Sequence, residues 1–274
     1  MPELPEVEII RQYLDEQLPD RTIACADILL PRQLKYPEPA AFHALVEGRR
    51  ITGLRRRGKY LLLDLQAGGT IVFHLRMTGS LVYDPSGRQH DAYARMVFHL
   101  ADGGSLVFAD VRTFGCVYGF AAGEKIAVPG LQSLGPEPLS AAFTAAYLLW
   151  AVKGRKQPVK SFLLDQRRIA GLGNIYVDES LFLAGLDPRR PAGSLTDAEC
   201  TWLASSIRQS LQEGLSDGGT TFRNYRNGAG GYGHHQEYLR VYHRTGKPCP
   251  ICGRPIEKIT VGGRGTHFCP HCQH

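Results

Sequence analysis

Four of the seven cysteines lie in the last 26 residues, as two Cys-x2-Cys pairs separated by 16 residues. A segment this short buries too little apolar surface to fold without a crosslink or a metal ion. Two disulfides are the alternative, but the thiols of an intracellular protein stay reduced. The spacing predicts one structural Zn²⁺ ion in a closed tetrahedral site of four thiolates. The ligands are Cys249, Cys252, Cys269 and Cys272, and His267 and His271 could substitute only by breaking the paired spacing.

The remaining chain is long enough for more than one domain and has no hydrophobic segment of membrane-spanning length. It has 274 residues, and domains usually contain about 100–150. No apolar run approaches the roughly 18–20 residues that a transmembrane helix requires. The N-terminus also lacks the basic start of a signal peptide. We therefore expect a cytoplasmic protein without a membrane partner.

Positive charge is concentrated in the second half of the chain. Residues 1–130 contain 15 basic and 15 acidic side chains, so the whole net charge of +6 lies in residues 131–274. Such an imbalance favours a polyanionic partner, although a solvated basic surface would give the same composition. The neutral half also contains one dense basic segment, formed by Arg49, Arg50, Arg55, Arg56, Arg57 and Lys59.

The spacing of apolar residues predicts strands followed by helices. Val7, Ile10 and Leu14 form a helical stripe after Pro5. From residue 51 to 120, short apolar segments separated by turns predict an antiparallel β-sandwich. This order indicates the α+β class and argues against a doubly wound sheet. Strands are predicted at 60–65, 70–75, 96–100 and 105–109, a linker at 128–138, and helices at 141–152, 159–165, 175–183 and 197–215.

The N-terminus contains residues suited to covalent catalysis. Removal of Met1 would leave the secondary amine of Pro2, and an α-amine has far more free base at neutral pH than a lysine. Attack of this amine on a sugar C1′ gives a cationic iminium that favours elimination. Glu3 and Glu6 could manage protons beside it, and Lys59 could reach a phosphate or the reacting sugar. A plain helix entry is the alternative interpretation of this segment, because Pro and Glu favour first turns.

A second basic segment precedes a glycine turn that opens a predicted helix. Its cations are Lys153, Arg155, Lys156 and Lys160, and the turn is Gly171-Leu-Gly173. Backbone amides at the start of a helix bind phosphate oxygens. An ordinary tight turn would have the same sequence, so this motif alone is weak evidence.

Seven motifs occur together in one order along nearly the whole chain. They are Pro2-Glu-Leu-Pro-Glu6, Arg57-Gly-Lys59-Tyr, His74-Leu-Arg-Met-Thr-Gly79, Asp110-Val-Arg-Thr-Phe-Gly115, Leu134-Gly-Pro-Glu-Pro138, Gly171-Leu-Gly-Asn-Ile-Tyr176 and the four-cysteine tail. This order and spacing closely resemble the bacterial formamidopyrimidine-DNA glycosylases, the Fpg/MutM enzymes of 8-oxoguanine repair.

The resemblance implies roles for individual residues. Pro2 corresponds to the Schiff-base nucleophile, Glu3 to the adjacent acid/base, Glu6 to a supporting carboxylate, and Lys59 to the lysine of proton donation and phosphate contact. Met77, Arg112 and Phe114 match residues that fill the gap left by an everted nucleotide. His74, His90, Arg155, Lys160, Asn174 and Arg264 match DNA-contacting positions, and Arg264 also matches an arginine implicated in the second elimination.

The resemblance also implies an architecture and a partner. We expect a catalytic sandwich domain at 1–130, a helix-two-turn-helix domain with a lesion-capping loop at 131–235, and a zinc-finger hairpin at 236–274. The loop, from Gly218 to Gly233, has more glycines than we expect at this position. The partner would be double-stranded DNA carrying oxidised bases or abasic sites, bound by a monomer that associates with the nucleoid while it acts.

The implied activity is removal of oxidised purines followed by β,δ-elimination. An endonuclease VIII-type enzyme of the same fold, which prefers oxidised pyrimidines, is one alternative. Leu4 in the N-terminal motif and the long capping loop favour the purine enzyme. A zinc-ribbon DNA-binding protein without catalysis is a second alternative, but it leaves Pro2, Glu3 and Lys59 without a role.

Overall fold

The computed structural model describes residues 2–87 and 92–274, which form two compact units. The first unit combines Met1–Gln132 with Asp217–His234, and the second combines Ser133–Ser216 with His235–His274. The segment predicted to cap a lesion thus packs with the N-terminal unit, and the cysteine hairpin packs with the helices. The three-part domain division from the sequence differs from these contact units and stays a prediction.

The first unit is a β-sandwich with two helices. Its elements are α1 (Leu4–Gln17), β1 (Ile23–Asp27), β2 (Leu34–Tyr36), α2 (Pro39–Val46), β3 (Ile51–Arg57), β4 (Tyr60–Leu65), β5 (Thr70–His74), β6 (Gly79–Asp84), β7 (Ala94–Leu100), β8 (Ser105–Asp110) and β9 (Cys116–Phe120). One sheet has the order β1-β7-β8-β6 and the other β2-β9-β5-β4-β3. The strands predicted from the sequence are confirmed.

One strand pair departs from the expected antiparallel pattern. β2 runs parallel to β9, with Leu34 opposite Val117, whereas the other pairs in the two sheets are antiparallel. Of the seven described pairs, β3–β4, β4–β5 and β7–β8 join consecutive strands through short connections, which impose antiparallel pairing. No such connection fixes the direction of β2 against β9, which are far apart in sequence. No local pattern in a strand of three residues specifies the direction of such a distant partner.

The core lies between the inner faces of the two sheets and is closed by the helices. The ring of Phe73 on β5 contacts Phe98 and Phe108 of the opposite sheet, each with ring centroids 6.0 Å apart. Val7 and Ile10 of α1 are fully buried in the same cluster, as the helical stripe predicts. Burial of this stripe places α1 beside β3 and β4.

The second unit contains helices and a β-hairpin. Its elements are α3 (Ala145–Val152), α4 (Val159–Leu164), α5 (Asn174–Leu183), α6 (Asp197–Ser216), β10 (Glu257–Val261) and β11 (Arg264–Phe268). α3 begins later than the predicted residue 141, because the Thr144 hydroxyl caps it by accepting the Tyr147 amide at 3.0 Å. Within the described residues, no helix has both the length and the apolar character needed to cross a membrane.

Candidate functional site

The chain end is held by a reciprocal hydrogen-bond pattern at the start of α1. Glu3 is the N-cap residue, and its amide donates to Glu6 Oε2 at 2.8 Å while its own carboxylate accepts from the Glu6 amide. This capping box satisfies amides that would otherwise be left open at the helix start. Pro2, Glu3 and Glu6 are all buried, so the predicted nucleophile has two carboxylates in its immediate chain neighbourhood.

Glu6 also connects the helix to the segment 217–234. Its second carboxylate oxygen, Oε1, accepts the Thr220 amide at 2.8 Å. Gly219 adopts φ +84° against Glu6, where an added Cβ would lie 3.2 Å from Glu6 Cγ. Burial, and then the charge of Glu6, raises the pKa of Tyr225, whose hydroxyl donates to the Glu6 carbonyl. Because both of its oxygens accept backbone amides, Glu6 is built to fix the N-terminal segment against this loop.

Lys59 lies in the turn between β3 and β4 and is 7% exposed. Gly58 takes φ +56° in the same turn, a conformation that favours glycine. Arg56 holds this turn against α1, since its side chain donates to Glu8 Oε2 at 2.7 Å and to the Gly58 carbonyl at 3.0 Å. Burial alone would raise the pKa of Glu8, but hydrogen bonds from Arg11 and Arg56 hold it below its usual value.

Three of the six cations in the dense basic segment around β3 are paired with carboxylates from other elements. Arg55 forms a two-point ion pair with Asp64 on β4, at 2.5 and 2.7 Å. Arg50 lies 3.3 Å from Asp20. With Arg56 bound to Glu8, much of this charge is structural and does not form an open cationic strip.

His74 is held as a neutral hydrogen-bond donor at the end of β5. Its Nδ1 accepts the Arg76 amide at 3.1 Å, so the proton of the neutral ring resides on Nε2. Burial, followed by the charges of Arg76 and Lys59, lowers the pKa of His74 to about 3. The side chain is 8% exposed and contacts the Tyr60 ring edge-on. The Nε2–H group suits a phosphate oxygen without requiring a charged imidazole.

The three residues predicted to fill the gap of an everted nucleotide lie on two loops of the first unit. Met77 is 40% exposed between β5 and β6, and Phe114 is 52% exposed between β8 and β9. The guanidinium of Arg112 lies 4.7 Å from the centre of the Phe114 ring. Apolar side chains exposed to this degree are available to contact a partner.

The extra glycines of the predicted capping loop have packing reasons. An added Cβ on Gly228 would lie 2.5 Å from the Tyr13 ring, and one on Gly233 would lie 2.1 Å from the Gly219 carbonyl. Asn227 Oδ1 accepts the amides of the following turn, including Gly231 at 2.8 Å. The segment is therefore fastened by close backbone contacts, whereas the sequence alone suggested a flexible loop.

In the second unit, the turn before α5 is shaped by one side-chain amide. Gln166 donates to the carbonyls of Leu164 and Leu172, at 3.1 and 2.8 Å, and accepts the Gly171 amide at 2.9 Å. This arrangement presents the start of α5, where Asn174 occupies the first helical position. Such a helix start suits a phosphate group.

Lys160 is fully buried and engaged within the protein. Its ammonium donates to Asp178 Oδ1 at 2.6 Å and to the Gly265 carbonyl at 3.0 Å. Asn174 Nδ2 donates to the same carbonyl at 2.9 Å, directly after Arg264 in the chain. The DNA contact predicted for Lys160 does not agree with this burial, because an enclosed ammonium has no surface to offer a phosphate. Lys160 instead anchors the hairpin that carries Arg264.

Two neighbouring acids on α5, which the sequence analysis missed, hold the two arms of the cysteine segment. Asp178 Oδ2 accepts the His267 amide at 2.9 Å. Glu179 accepts three successive amides, those of Arg240, Val241 and Tyr242, at 2.8–2.9 Å. Burial raises the pKa of Glu179, and these hydrogen bonds oppose that effect. The pair Asp-Glu inside a helix carries no sequence signal that distinguishes it from a solvated face.

The four predicted zinc ligands converge in the second unit. Their sulfur atoms all lie within 4.8 Å of one another, with Cys249 and Cys272 at 3.9 Å and Cys252 and Cys269 at 3.5 Å. A tetrahedral zinc–thiolate site requires about 3.8 Å between sulfurs. Among the described residues this is the cluster that could hold a metal, and it includes neither His267 nor His271. The thiols fit one structural zinc ion, as predicted.

The two remaining predicted residues that the structure describes both lie in the second unit. Arg155 is exposed after α3 in the second unit, and its Nε lies 3.4 Å from the Ala151 carbonyl. Arg264 starts β11 at the tip of the hairpin. The prediction for His90 lies outside the described residues.

Family models match three parts of the chain. They describe a formamidopyrimidine-DNA glycosylase N-terminal domain at residues 1–117, its H2TH domain at 134–225, and a zinc finger found in FPG and IleRS at 246–274. A formamidopyrimidine-DNA glycosylase from Moorella thermoacetica is 49% identical, with 94% of each chain covered. The chain belongs to the formamidopyrimidine-DNA glycosylase family. A second member, from Symbiobacterium thermophilum, is 47% identical, covering 100% of this chain and 89% of the relative.

Solved structures of formamidopyrimidine-DNA glycosylases have the same fold. MutM (Fpg) from Thermus thermophilus is 43% identical, with a TM-score of 0.89 over 99% of this chain and 98% of that one. Lactococcus lactis Fpg, in a complex with DNA containing an abasic site, is 34% identical, with a TM-score of 0.92 over 99% of each chain. These matches confirm the predicted α+β architecture with its helix-two-turn-helix motif and zinc finger.

Proposed function

We propose that this protein is a bifunctional DNA glycosylase and abasic-site lyase that removes oxidised purines, 8-oxoguanine and formamidopyrimidines, from duplex DNA. Besides the family membership, one structural observation supports the proposal. Glu6 bonds the Glu3 amide with one oxygen and the Thr220 amide with the other, so the predicted nucleophile, its acid/base and the predicted lesion loop form one buried constellation. This arrangement favours an enzyme over a non-catalytic DNA-binding protein, because it gathers the candidate catalytic residues in one buried place.

The chemistry begins after removal of Met1. The Pro2 nitrogen attacks C1′ of the damaged nucleotide, the bond from C1′ to the base breaks, and the base leaves with a proton. The Pro2 nitrogen then loses its own proton, and the C1′–O4′ bond breaks as O4′ takes up a proton, which opens the sugar ring and leaves an iminium. The resulting iminium makes the C2′ proton acidic, so Glu3 is suited to exchange protons here. β-Elimination breaks the C3′–O bond, δ-elimination breaks the C5′–O bond, and each phosphate departs as the leaving group. Lys59 is suited to balance phosphate charge, and Arg264 to assist the second elimination.

Binding requires eversion of the nucleotide, which costs a few kcal/mol of stacking. Met77, Arg112 and Phe114 offset part of that cost by filling the gap, because apolar wedges and a cation replace the lost contacts. His74, Asn174 and Arg264 supply phosphate contacts, with Arg155 as an additional cation. The enzyme acts as a monomer on chromosomal DNA and is therefore associated with the nucleoid while it acts. The zinc ion stabilises the finger and takes no part in the reaction.

Covalent trapping tests this proposal directly. Borohydride reduction with a duplex containing 8-oxoguanine opposite cytosine should link the DNA to the N-terminal residue, and mass spectrometry of the N-terminal peptide should place the adduct on Pro2. A form that retains Met1 is the matched control and should give no adduct. Absence of an adduct with an intact, Met-free chain would refute the enzyme proposal.

The same borohydride trapping assay compares the rates of reaction with an oxidised purine and with an oxidised pyrimidine. A Lactococcus lactis Fpg structure contains DNA with an oxidised pyrimidine, which makes the pyrimidine substrate a specific second candidate. A duplex with thymine glycol should be trapped more slowly than one with 8-oxoguanine. A faster reaction with thymine glycol would assign the protein to the endonuclease VIII type of activity.

A further inference from the structure

Asp110, the last residue of β8, is fully buried where the loop with Arg112 and Phe114 begins. None of the roles discussed above uses this carboxylate. A buried carboxylate must find several hydrogen-bond donors to offset its lost hydration. The donors to Asp110 come from both loops of the predicted wedge and from Gln33.

One oxygen of Asp110 shapes its own loop. Oδ2 accepts the Gly115 amide at 2.7 Å and Gln33 Nε2 at 2.9 Å. Gln33 is itself buried and donates to the Gly115 carbonyl at 3.0 Å, so it closes the same turn from the other side. Gly115 has no space for a Cβ, which would lie 2.6 Å from the Phe108 ring. The residue after Phe114 is therefore held in one place.

The other oxygen joins this loop to the Met77 loop. Oδ1 accepts the Thr78 hydroxyl at 2.5 Å and the Arg112 amide at 3.2 Å. Thr78 follows Met77 directly, and its hydroxyl also accepts the Arg112 amide at 3.0 Å. Thr113 takes φ +56° between the two exposed wedge residues. Asp110, Thr78 and Arg112 thus form a closed triangle between the two loops.

We propose that Asp110 is a positioning residue that holds the Met77 loop and the Arg112–Phe114 loop in one arrangement before DNA binds. A wedge fixed in advance fills the gap of an everted nucleotide without first losing conformational entropy. Thr78 and Gln33 support this carboxylate. The inference rests on the proposed function, since it concerns the eversion step of that reaction.

The test separates eversion from chemistry. Asp110→Asn keeps the size of the side chain and one accepting oxygen, but its NH2 group replaces the second oxygen and faces hydrogen-bond donors there. We expect single-turnover excision of 8-oxoguanine from duplex DNA to fall about tenfold to hundredfold, the range for loss of charge-assisted hydrogen bonds. Cleavage of a preformed abasic site in single-stranded DNA needs no base eversion and should change less than about twofold. Asp84→Asn on β6 is the matched control and should match wild type in both assays.

A spectroscopic readout follows the wedge itself. A duplex with 2-aminopurine opposite the lesion should show a slower fluorescence rise with Asp110→Asn than with wild type. Thr78→Ser keeps the hydroxyl and should retain most of the wild-type rate of the fluorescence rise. Thr78→Val lacks the hydroxyl and should be as slow as Asp110→Asn. If Asp110→Asn does not fold, the comparison of Thr78→Val with Thr78→Ser tests the inference instead. Equal fluorescence rates for these two variants overturn the inference.

Each remaining outcome also has a definite meaning. Wild-type duplex excision by folded Asp110→Asn overturns the inference, as does an equal loss in the duplex and single-strand assays. Failure of the wild-type protein in both assays instead refutes the proposed function, so the two failures are distinguishable.

Discussion

Acid should destabilise this protein through His74. The unfolded chain binds a proton to this imidazole near its ordinary pKa of 6.5, whereas the native pKa is about 3 because of burial and the charges of Arg76 and Lys59. The unfolded state therefore binds more protons below pH 6.5, and the free energy of unfolding falls as the pH is lowered towards the native pKa. Above pH 6.5 both states are neutral at this site, and the effect disappears.

The magnitude follows from the two pKa values. Between pH 8 and pH 5 the loss at this site is about 2 kcal/mol, and it approaches about 5 kcal/mol below pH 3. His74→Gln removes the titrating group but keeps a polar side chain. The difference in unfolding free energy between wild type and His74→Gln, measured by urea unfolding, should therefore shrink by about 2 kcal/mol from pH 8 to pH 5.

A surface histidine provides the control. His43 lies exposed on α2, and His43→Gln corrects for the loss of a histidine as such. If wild type and His74→Gln lose stability in parallel between pH 8 and pH 5, then His74 is not held neutral by its environment. The assignment of its Nε2–H group as a phosphate donor would then also fail.

Three further changes have definite expected outcomes. Lys160→Met removes the cation beside buried Asp178 and should cost about 3–5 kcal/mol in unfolding experiments; an unchanged melting temperature would contradict the buried pair. Gly228→Ala places a methyl group against Tyr13 and should cost about 1–3 kcal/mol and slow excision; wild-type stability would show that the loop is loose. Removing zinc with a chelator should unfold residues 246–274 and weaken DNA binding; retained affinity in the metal-free protein, measured by anisotropy, would exclude the finger from the DNA interface.

The features that the sequence predicted well are those encoded by near neighbours. The stripe on α1, the strands of the sandwich and the paired cysteines each follow from spacings of a few residues, and the structure confirms them. The cysteine pairs are the clearest example, because four thiols in a short segment admit few arrangements. The proximity of Glu3 and Glu6 could be predicted for the same reason, since they lie within one helical turn; their catalytic roles stay a prediction.

The features that the sequence did not predict depend on partners far apart in the chain. Lys160 looked like a DNA-contacting cation, but its acceptor at Gly265 is 105 residues away. Asp110 and Gln33, 77 residues apart, meet in the same way. The ion pairs of Arg50, Arg55 and Arg56 were not predicted either, because their carboxylate partners come from other elements. Local composition records the charge of a side chain and not the burial or the partner that folding gives it.

The bond between Glu6 and Thr220 has a consequence for biosynthesis. The two residues are 214 positions apart, and ribosomes add about 5–20 residues per second, so Thr220 emerges roughly 10–40 s after Glu6. Removal of Met1 requires an accessible, extended chain end, whereas Pro2 is buried in the finished fold. Removal of Met1 from the proposed nucleophile Pro2 is therefore expected during translation, before Thr220 bonds to Glu6.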